Sequence, residues 1–126
     1  MSELTPYLAV ADARAALQWY VEHLGAQVTY EPIVMPDGRI GHTELEIDGA
    51  RWMMADEHPE IRVEAPAPDR GAAVTLHLTV ADVDGLVSRA VDGGAHLDRG
   101  PEEAPVGRVA VLRDPFGHRW FLNGPA

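Results

Sequence analysis

The sequence predicts an α+β domain made of two tandem βαβββ modules, chiefly because it contains an internal repeat. Residues 5–22 align with residues 75–92. The identical pairs in this alignment are Thr5/Thr75, Leu8/Leu78, Val10/Val80, Ala11/Ala81, Asp12/Asp82 and Val21/Val91. The match resumes where residues 48–52 align with residues 114–120. Because a solenoid needs at least three stacked copies, a repeat that occurs only twice indicates a duplicated supersecondary unit. A bound molecule is then expected where the two copies meet.

Each module begins with a predicted strand. Residues 5–11 place Leu8 and Val10 on one face and polar or small side chains on the other, which is the period of a half-buried strand. Residues 75–81 repeat the alternation.

A helix is predicted after each of these strands. Asp12 and Asp82 stand where an N-cap belongs, and good helix formers follow them. The first helix carries an apolar stripe at helical spacing, formed by Ala16, Leu17, Tyr20, Val21 and Leu24. Gly25 ends the first helix and Gly93 or Gly94 ends the second, since glycine tolerates the left-handed backbone of a C-cap.

Three short strands are predicted after each helix. Their bounds are 26–34, 40–47 and 51–55 in the first half, and 95–99, 107–113 and 119–123 in the second. Residues 36–39, PDGR, are typical of a hairpin turn. Residues 56–73 contain three prolines and five carboxylates, which favours a connecting loop. We therefore predict one domain over 1–126, with module one at 4–55, a linker at 56–73 and module two at 74–124.

Composition excludes several classes of function. The net charge is −10, with ten arginines, no lysine and twenty carboxylates, so nucleic acids and anionic membranes are disfavoured as partners. The absence of cysteine excludes disulfides, thiolate nucleophiles and cysteine-ligated zinc. No apolar run reaches membrane-spanning length, and the first ten residues lack the pattern of a signal peptide. A cytoplasmic protein is expected.

Several motifs resemble those of the vicinal oxygen chelate superfamily, which contains glyoxalase I, extradiol dioxygenases and bleomycin-resistance proteins. These motifs are the VAD that ends the first strand, the LGA at the helix end and the RDPFGHRW near the C-terminus. Residues 35–57 look most like the PhnB-like branch. The resemblance implies two βαβββ modules that form an incomplete barrel around a concave groove, often paired in a homodimer.

The resemblance also places four metal-ligand positions on the first and last strands of the modules. Carried over to this sequence, they are Thr5, Met53, Thr75 and Phe121. A catalytic metal needs imidazole or carboxylate donors that converge on one point, and none of these four residues supplies one. We therefore expect no metal and no other cofactor at these positions.

The remaining side chains on the predicted concave face are the candidate site. The expected ligand-binding residues are Tyr7, His42, Glu44, Met53, His77, Arg119 and Phe121. Glu46 and Arg51 share this face, whereas Trp52 and Trp120 are expected in the core. An alternative is that the polar residues of the third strand form only a solvated sheet face. Arg51 and Arg119 are also expected at strand ends, where they would pair with carboxylates.

The halves differ most at the candidate site. Tyr7 is aligned with His77, and we align the polar set His42, Glu44 and Glu46 with the set Arg108, Ala110 and Leu112. Any function of the groove is expected to depend on these differences.

Three functions are compatible with these residues. The first is metal-independent binding of a small apolar or aromatic molecule, such as a drug or natural product, with a role in antibiotic resistance. The second is a lyase or isomerase that uses His77 and Glu44 as catalytic proton-transfer groups, with or without a relocated divalent metal. The third is a module that binds only a protein partner. No particular residue supports this third function.

Overall fold

The computed structural model describes residues 1–126, which divide into two units, Met1–Ala65 and Pro66–Ala126. Each unit has one helix on a four-stranded sheet, so the predicted α+β fold with two βαβββ modules is confirmed. The boundary between the units lies inside the predicted linker 56–73. Neither helix is long and apolar enough to cross a membrane.

The first unit contains β1, α1, β2, β3 and β4. Their bounds are Tyr7–Val10, Ala13–Leu24, Gln27–Val34, Ile40–Ile47 and Ala50–Asp56. The strand order is β1-β4-β3-β2, in which β1 pairs parallel to β4 and the other pairs are antiparallel. β4 therefore lies between the first strand and the third.

The second unit repeats this order with β5, α2, β6, β7 and β8. Their bounds are Thr75–Thr79, Val83–Asp92, His96–Ala104, Gly107–Arg113 and Arg119–Gly124. The strand order is β5-β8-β7-β6, and β5 pairs parallel to β8. The linker forms no further strand, as its prolines predict. It contains a short 3-10 helix at Pro59–Ile61 and one isolated bridge.

The helix ends have the predicted caps. The Asp12 carboxylate accepts a hydrogen bond of 3.1 Å from the backbone N–H of Ala15, and Asp82 accepts one of 3.0 Å from that of Gly85. Each bond satisfies a donor that the first helical turn leaves open. Gly25 ends α1 with φ of 72°, in the left-handed region.

Strand β6 extends to Ala104, five residues beyond the predicted end at residue 99. The strand runs on through Gly100 and Pro101, and its pairing with β7 shifts register on either side of Arg99. β6 is an edge strand, where a bulge accepts the positive φ of Gly100 and a proline that donates no hydrogen bond. The strand therefore continues through the irregularity.

The helix-facing side of each sheet forms the core. In the first unit Leu45, Trp52 and Met54 are buried, and the Trp52 ring meets that of Tyr20 edge-on at 5.4 Å. In the second unit Trp120 and Leu122 are buried in the corresponding positions. Full burial stabilises each large apolar side chain by roughly 1.5–3 kcal/mol. The prediction that both tryptophans are core residues is confirmed.

The strand registers correct the predicted alignment of β3 in the first unit with β7 in the second. Glu44 pairs with Met53 in the first unit, and Val111 pairs with Phe121 in the second. Glu44 therefore corresponds to Val111, and by the same offset His42 corresponds to Val109 and Glu46 to Arg113. The predicted equivalents Arg108, Ala110 and Leu112 are wrong by one residue. Because side chains alternate along a strand, that slip exchanged the two faces of β7.

Candidate functional site

The candidate site is the face of the first sheet that points away from α1. The registers place four side chains in one row across all four strands. Tyr7 of β1 pairs with Met53 of β4, Met53 pairs with Glu44 of β3, and Glu44 pairs with Tyr30 of β2. His42 lies two residues before Glu44 and so shares this face. We call these five residues the Tyr7 face.

A continuous set of polar contacts runs over this face. The Tyr7 hydroxyl lies 2.6 Å from His42 Nδ1, and His42 Nε2 lies 2.8 Å from a carboxylate oxygen of Glu44. The other Glu44 oxygen lies 3.5 Å from Arg51 Nη2. Arg51 Nη1 in turn lies 3.5 Å from Glu3. Arg51 therefore pairs with carboxylates, as expected for a residue at a strand end.

The partners of His42 determine where its protons lie. An ionised Glu44 only accepts hydrogen bonds, so the 2.8 Å contact requires a proton on Nε2. In the neutral imidazole Nδ1 then carries a lone pair, which accepts the proton of the Tyr7 hydroxyl. Hydroxyl, imidazole and carboxylate thus form one directed hydrogen-bond chain.

The environment of Tyr7 keeps its hydroxyl protonated. Burial of the phenol raises the pKa of Tyr7 above its usual value, and the negative charge of Glu44 raises it further. A Tyr7 phenolate is therefore disfavoured at neutral pH, and the side chain acts as a hydrogen-bond donor to His42.

Aromatic and apolar surface surrounds the polar chain. The rings of Tyr7 and Tyr30 each lie 5.4 Å from the imidazole of His42. The exposed fractions are 53% for Tyr7, 49% for Tyr30 and 45% for Ile33, which pairs with His42. Half-exposed rings around a hydrogen-bonded centre suit the binding of a small molecule.

Tyr30 was not among the predicted site residues. Its strand β2 has register shifts on both sides of it, so simple alternation along residues 26–34 does not show which face it occupies. The only sequence signal is an aromatic residue within a strand that lies at the sheet edge. The structure adds Tyr30 to the candidate site.

The other predicted residues form a second cluster in the second unit. The His77 imidazole stacks on the Phe121 ring, with centroids 5.4 Å apart and planes 18° apart. Arg119 Nη1 donates a 2.7 Å hydrogen bond to the Thr75 hydroxyl. The structure thus brings Tyr7, His42, Glu44 and Met53 together in one unit, and His77, Arg119 and Phe121 together in the other.

The residues at the family's metal positions do not fit a divalent metal. Thr5 and Thr75 offer hydroxyls, Met53 a thioether and Phe121 no donor at all, whereas catalytic zinc or iron takes imidazoles and carboxylates. The Thr75 hydroxyl is already bonded to Arg119. No group of three His, Cys, Asp or Glu side chains is placed to hold a metal ion.

A cleft of about 510 Å³ lies elsewhere in the first unit, beside the start of α1 and the β2–β3 turn. Its lining includes Asp56, whose two oxygens accept from the backbone N–H groups of Ala13 and Ile40. Arg39 also lines it and pairs with Asp37 at 2.7 Å. These side chains fix the start of α1 and the β2–β3 turn. Their polar groups at the cleft therefore have a structural role and give no sign of a binding site.

Comparisons with known proteins agree with this architecture. An uncharacterised protein of Mycobacterium bovis, Mb0911c, is 38% identical over 126 residues, covering 97% of this chain and 82% of that protein. The crystal structure of TnmS3, an antibiotic binding protein from Streptomyces sp. CB03234, superimposes with a TM-score of 0.70 and 25% identity, over 100% of this chain and 98% of that one.

A third similarity concerns the fold alone. The bleomycin-binding protein of Streptomyces verticillus, solved with copper(II)-bleomycin, gives a TM-score of 0.66 at 16% identity, over 100% of this chain and 98% of that one. The model of the Glyoxalase/Bleomycin resistance protein/Dioxygenase superfamily matches residues 4–122. The chain therefore belongs to the glyoxalase, bleomycin resistance protein and dioxygenase superfamily.

Proposed function

We propose that this protein binds a small apolar or aromatic molecule on the Tyr7 face, without the help of a metal. The observation that supports the proposal is the hydrogen-bonded chain of Tyr7, His42 and Glu44, which lies among half-exposed aromatic rings. Apolar contact would supply most of the affinity, at roughly 25 cal/mol for each Å² removed from water. The polar chain would fix the ligand's orientation.

The polar centre is held in position before any ligand arrives. Both imidazole nitrogens of His42 have partners within 2.8 Å, and Arg51 approaches the far oxygen of Glu44. A side chain already held by its neighbours loses little freedom when a ligand binds. This argues for recognition of a definite molecule, beyond general apolar adhesion.

The family relationship supports the same function. TnmS3 is an antibiotic binding protein, and by analogy we extend binding of a drug or natural product to this chain. Sequestration of such a molecule would confer antibiotic resistance. In the second unit, His77, Phe121 and Arg119 would form a ligand-contacting surface of their own, with a stacked ring pair and a guanidinium group.

A thermal-shift screen with aromatic natural products and peptide-like antibiotics tests this proposal. A ligand present at a hundred times its dissociation constant adds about 2.7 kcal/mol of stability. Met53→Lys puts a charge at the centre of the Tyr7 face and should abolish the shift. Val21→Lys, on the exposed surface of α1, is the matched control and should keep it. If no compound shifts the wild type, or if both variants behave alike, the proposal fails.

Proton-transfer catalysis is a second candidate, favoured by the same hydrogen-bond chain. The Glu44 partner seen in the structure is His42, while His77 stacks on Phe121, so a lyase or isomerase would use His42 and Glu44 with Tyr7 in place of the predicted His77. Incubation with aryl ketones in D₂O, followed by NMR of the α-hydrogens, detects such chemistry. Wild type should accelerate exchange and His42→Gln should not; equal rates would exclude this role.

The assembly and location of the protein stay predictions, as does membership of the PhnB-like branch. A homodimer is expected from the resemblance described above, and a cytoplasmic location from the composition. Native mass spectrometry measures subunit number and any retained ligand in the same spectrum. A dimer mass is the expected result, and a monomer at micromolar concentration would contradict it.

A further inference from the structure

We infer that the ligand of the Tyr7 face presents a hydrogen-bond donor, of the kind carried by a phenolic hydroxyl, to the oxygen of Tyr7. This inference rests on the proposed function and names the chemical class of molecule that the face selects. It follows from the direction of the hydrogen bonds between Tyr7, His42 and Glu44.

The first step is the direction in which Tyr7 donates. Its hydroxyl lies 2.6 Å from His42 Nδ1 and 3.3 Å from the carbonyl oxygen of Gly41. Because Glu44 holds the imidazole proton on Nε2, the Nδ1 lone pair has only the Tyr7 hydroxyl as its donor. The shorter contact therefore takes the phenolic proton, and Tyr7 has no proton left to give to a ligand.

The second step is what remains available on the face. A phenolic oxygen that donates its proton still has lone pairs with which to accept. The Glu44 oxygen that faces Arg51 at 3.5 Å is also an acceptor. Both nitrogens of His42 are already engaged. Around Tyr7 the face therefore offers hydrogen-bond acceptors. A ligand that carries a hydrogen-bond donor satisfies them best.

The third step concerns the body of the ligand. Tyr7 and Tyr30 are half exposed on either side of the row, and the Met53 side chain lies between Tyr7 and Glu44. Rings and a thioether favour contact with a flat aromatic molecule. A hydroxyl on such a ring would lie next to the Tyr7 oxygen. An aromatic alcohol satisfies both the apolar and the polar parts of the face.

The test compares 2-naphthol with its methyl ether, 2-methoxynaphthalene, by fluorescence titration. The two probes share one ring system, and only the first carries a donor. A net hydrogen bond is worth about 1 kcal/mol, so wild type should bind 2-naphthol about fivefold more tightly. Hydrophobicity alone would favour the ether, because its methyl group adds apolar surface. A preference for the alcohol therefore reports the hydrogen bond.

Two hydroxyl deletions on the same face provide the matched variants. Tyr7→Phe, made together with His42→Leu so that no Nδ1 lone pair is freed as a replacement acceptor, should abolish or reverse the preference for 2-naphthol. Tyr30→Phe removes a hydroxyl for which the structure shows no hydrogen bond and should leave the preference intact.

The outcomes separate this inference from the proposed function. If wild type binds both probes equally, or if the double variant Tyr7→Phe/His42→Leu keeps the preference, the inference is overturned while small-molecule binding stands. If wild type binds neither probe, the inference is overturned, and the thermal-shift screen decides the proposed function separately.

Discussion

The Tyr7 hydroxyl lies 2.6 Å from His42 Nδ1, although the strands that carry these residues are not neighbours in the sheet. β4 lies between β1 and β3, so the contact between the Tyr7 and His42 side chains crosses β4, the strand that carries Met53. The parallel pairing of β1 with β4 brings together two residues that are 35 positions apart in the chain. The polar centre of the candidate site is therefore a product of topology.

The alkaline titration of Tyr7 should reveal its environment. Burial and the Glu44 charge raise the pKa of Tyr7, so Glu44→Gln should lower that pKa towards the ordinary value. Ultraviolet absorbance of the phenolate measures it, with Tyr7→Phe subtracted to isolate this residue from Tyr20 and Tyr30. An unchanged Tyr7 titration in Glu44→Gln would mean that the carboxylate does not act on the hydroxyl.

The raised pKa of Tyr7 also predicts a pH dependence of stability. A proton held more tightly in the folded state stabilises the fold below the unfolded pKa, and this contribution is lost as the pH rises through the folded pKa. Tyr7→Phe should therefore lose less stability than wild type as the pH rises through about 10, the ordinary tyrosine pKa, and above it. Urea denaturation across this range measures the difference, and parallel curves would contradict it.

Asp114 should be the most sensitive acidic residue for folding. Its buried carboxylate accepts from the indole N–H of Trp120 at 2.9 Å and from the backbone N–H groups of Phe116 and His118. Asp114→Ala leaves these donors without their acceptor and should cost about 3 kcal/mol. Asp69→Ala, at an exposed loop position, should change the free energy of unfolding by less than about 0.5 kcal/mol. Urea denaturation of the two variants gives the comparison; equal losses would refute this role.

Asp98 should titrate at unusually low pH because of Arg113. The guanidinium donates to both Asp98 oxygens, at 2.8 and 3.1 Å, and this hydrogen bonding lowers the Asp98 pKa. The depressed pKa stabilises the fold above the unfolded value, and that stability is lost as the pH falls through the folded pKa. Arg113→Gln should raise the Asp98 pKa in a carboxyl carbon NMR titration, whereas Arg99→Gln should leave it in place. A low Asp98 pKa that survives Arg113→Gln would contradict the assignment.

Two glycines should respond differently to alanine. Gly25 has φ of 72° and no atom near the added Cβ, so Gly25→Ala should cost only the strain of a left-handed backbone, about 1 kcal/mol. At Gly107 φ is 119°, and the Cβ would collide with the backbone oxygen of Gly124. Gly107→Ala should therefore cost about 3 kcal/mol. Equal losses in thermal denaturation would show that the strand pair β7–β8 relaxes freely.

Local patterns in the sequence predict most of the fold. The repeat, the two aspartate caps and the alternation of Leu45 with its polar neighbours are encoded within a few residues, and each is confirmed. Alternation also places Tyr7, His42 and Glu44 on one face, but it cannot give the distances between strands. Those distances depend on the parallel pairing of β1 with β4.

The predictions that failed involve irregular pairing. The bulge around Gly100 extends β6 beyond its expected end, and register shifts in β2 hide the orientation of Tyr30. The turn after β7 is longer than the turn after β3, which misaligned Glu44 with Ala110 in place of Val111. In β2 and at the turn after β7, an inserted residue reverses which face a side chain occupies, and no local pattern marks the insertion.

Chemical-shift mapping of the labelled protein during a titration with 2-naphthol tests the central claim most directly. If the Tyr7 face binds aromatic molecules, the largest amide shifts should lie at Tyr7, Tyr30, His42 and Met53, and they should saturate. They should also disappear in Met53→Lys and persist in Val21→Lys. Shifts that cluster on the outer surface of α1, or that never saturate, would contradict a binding site on this face.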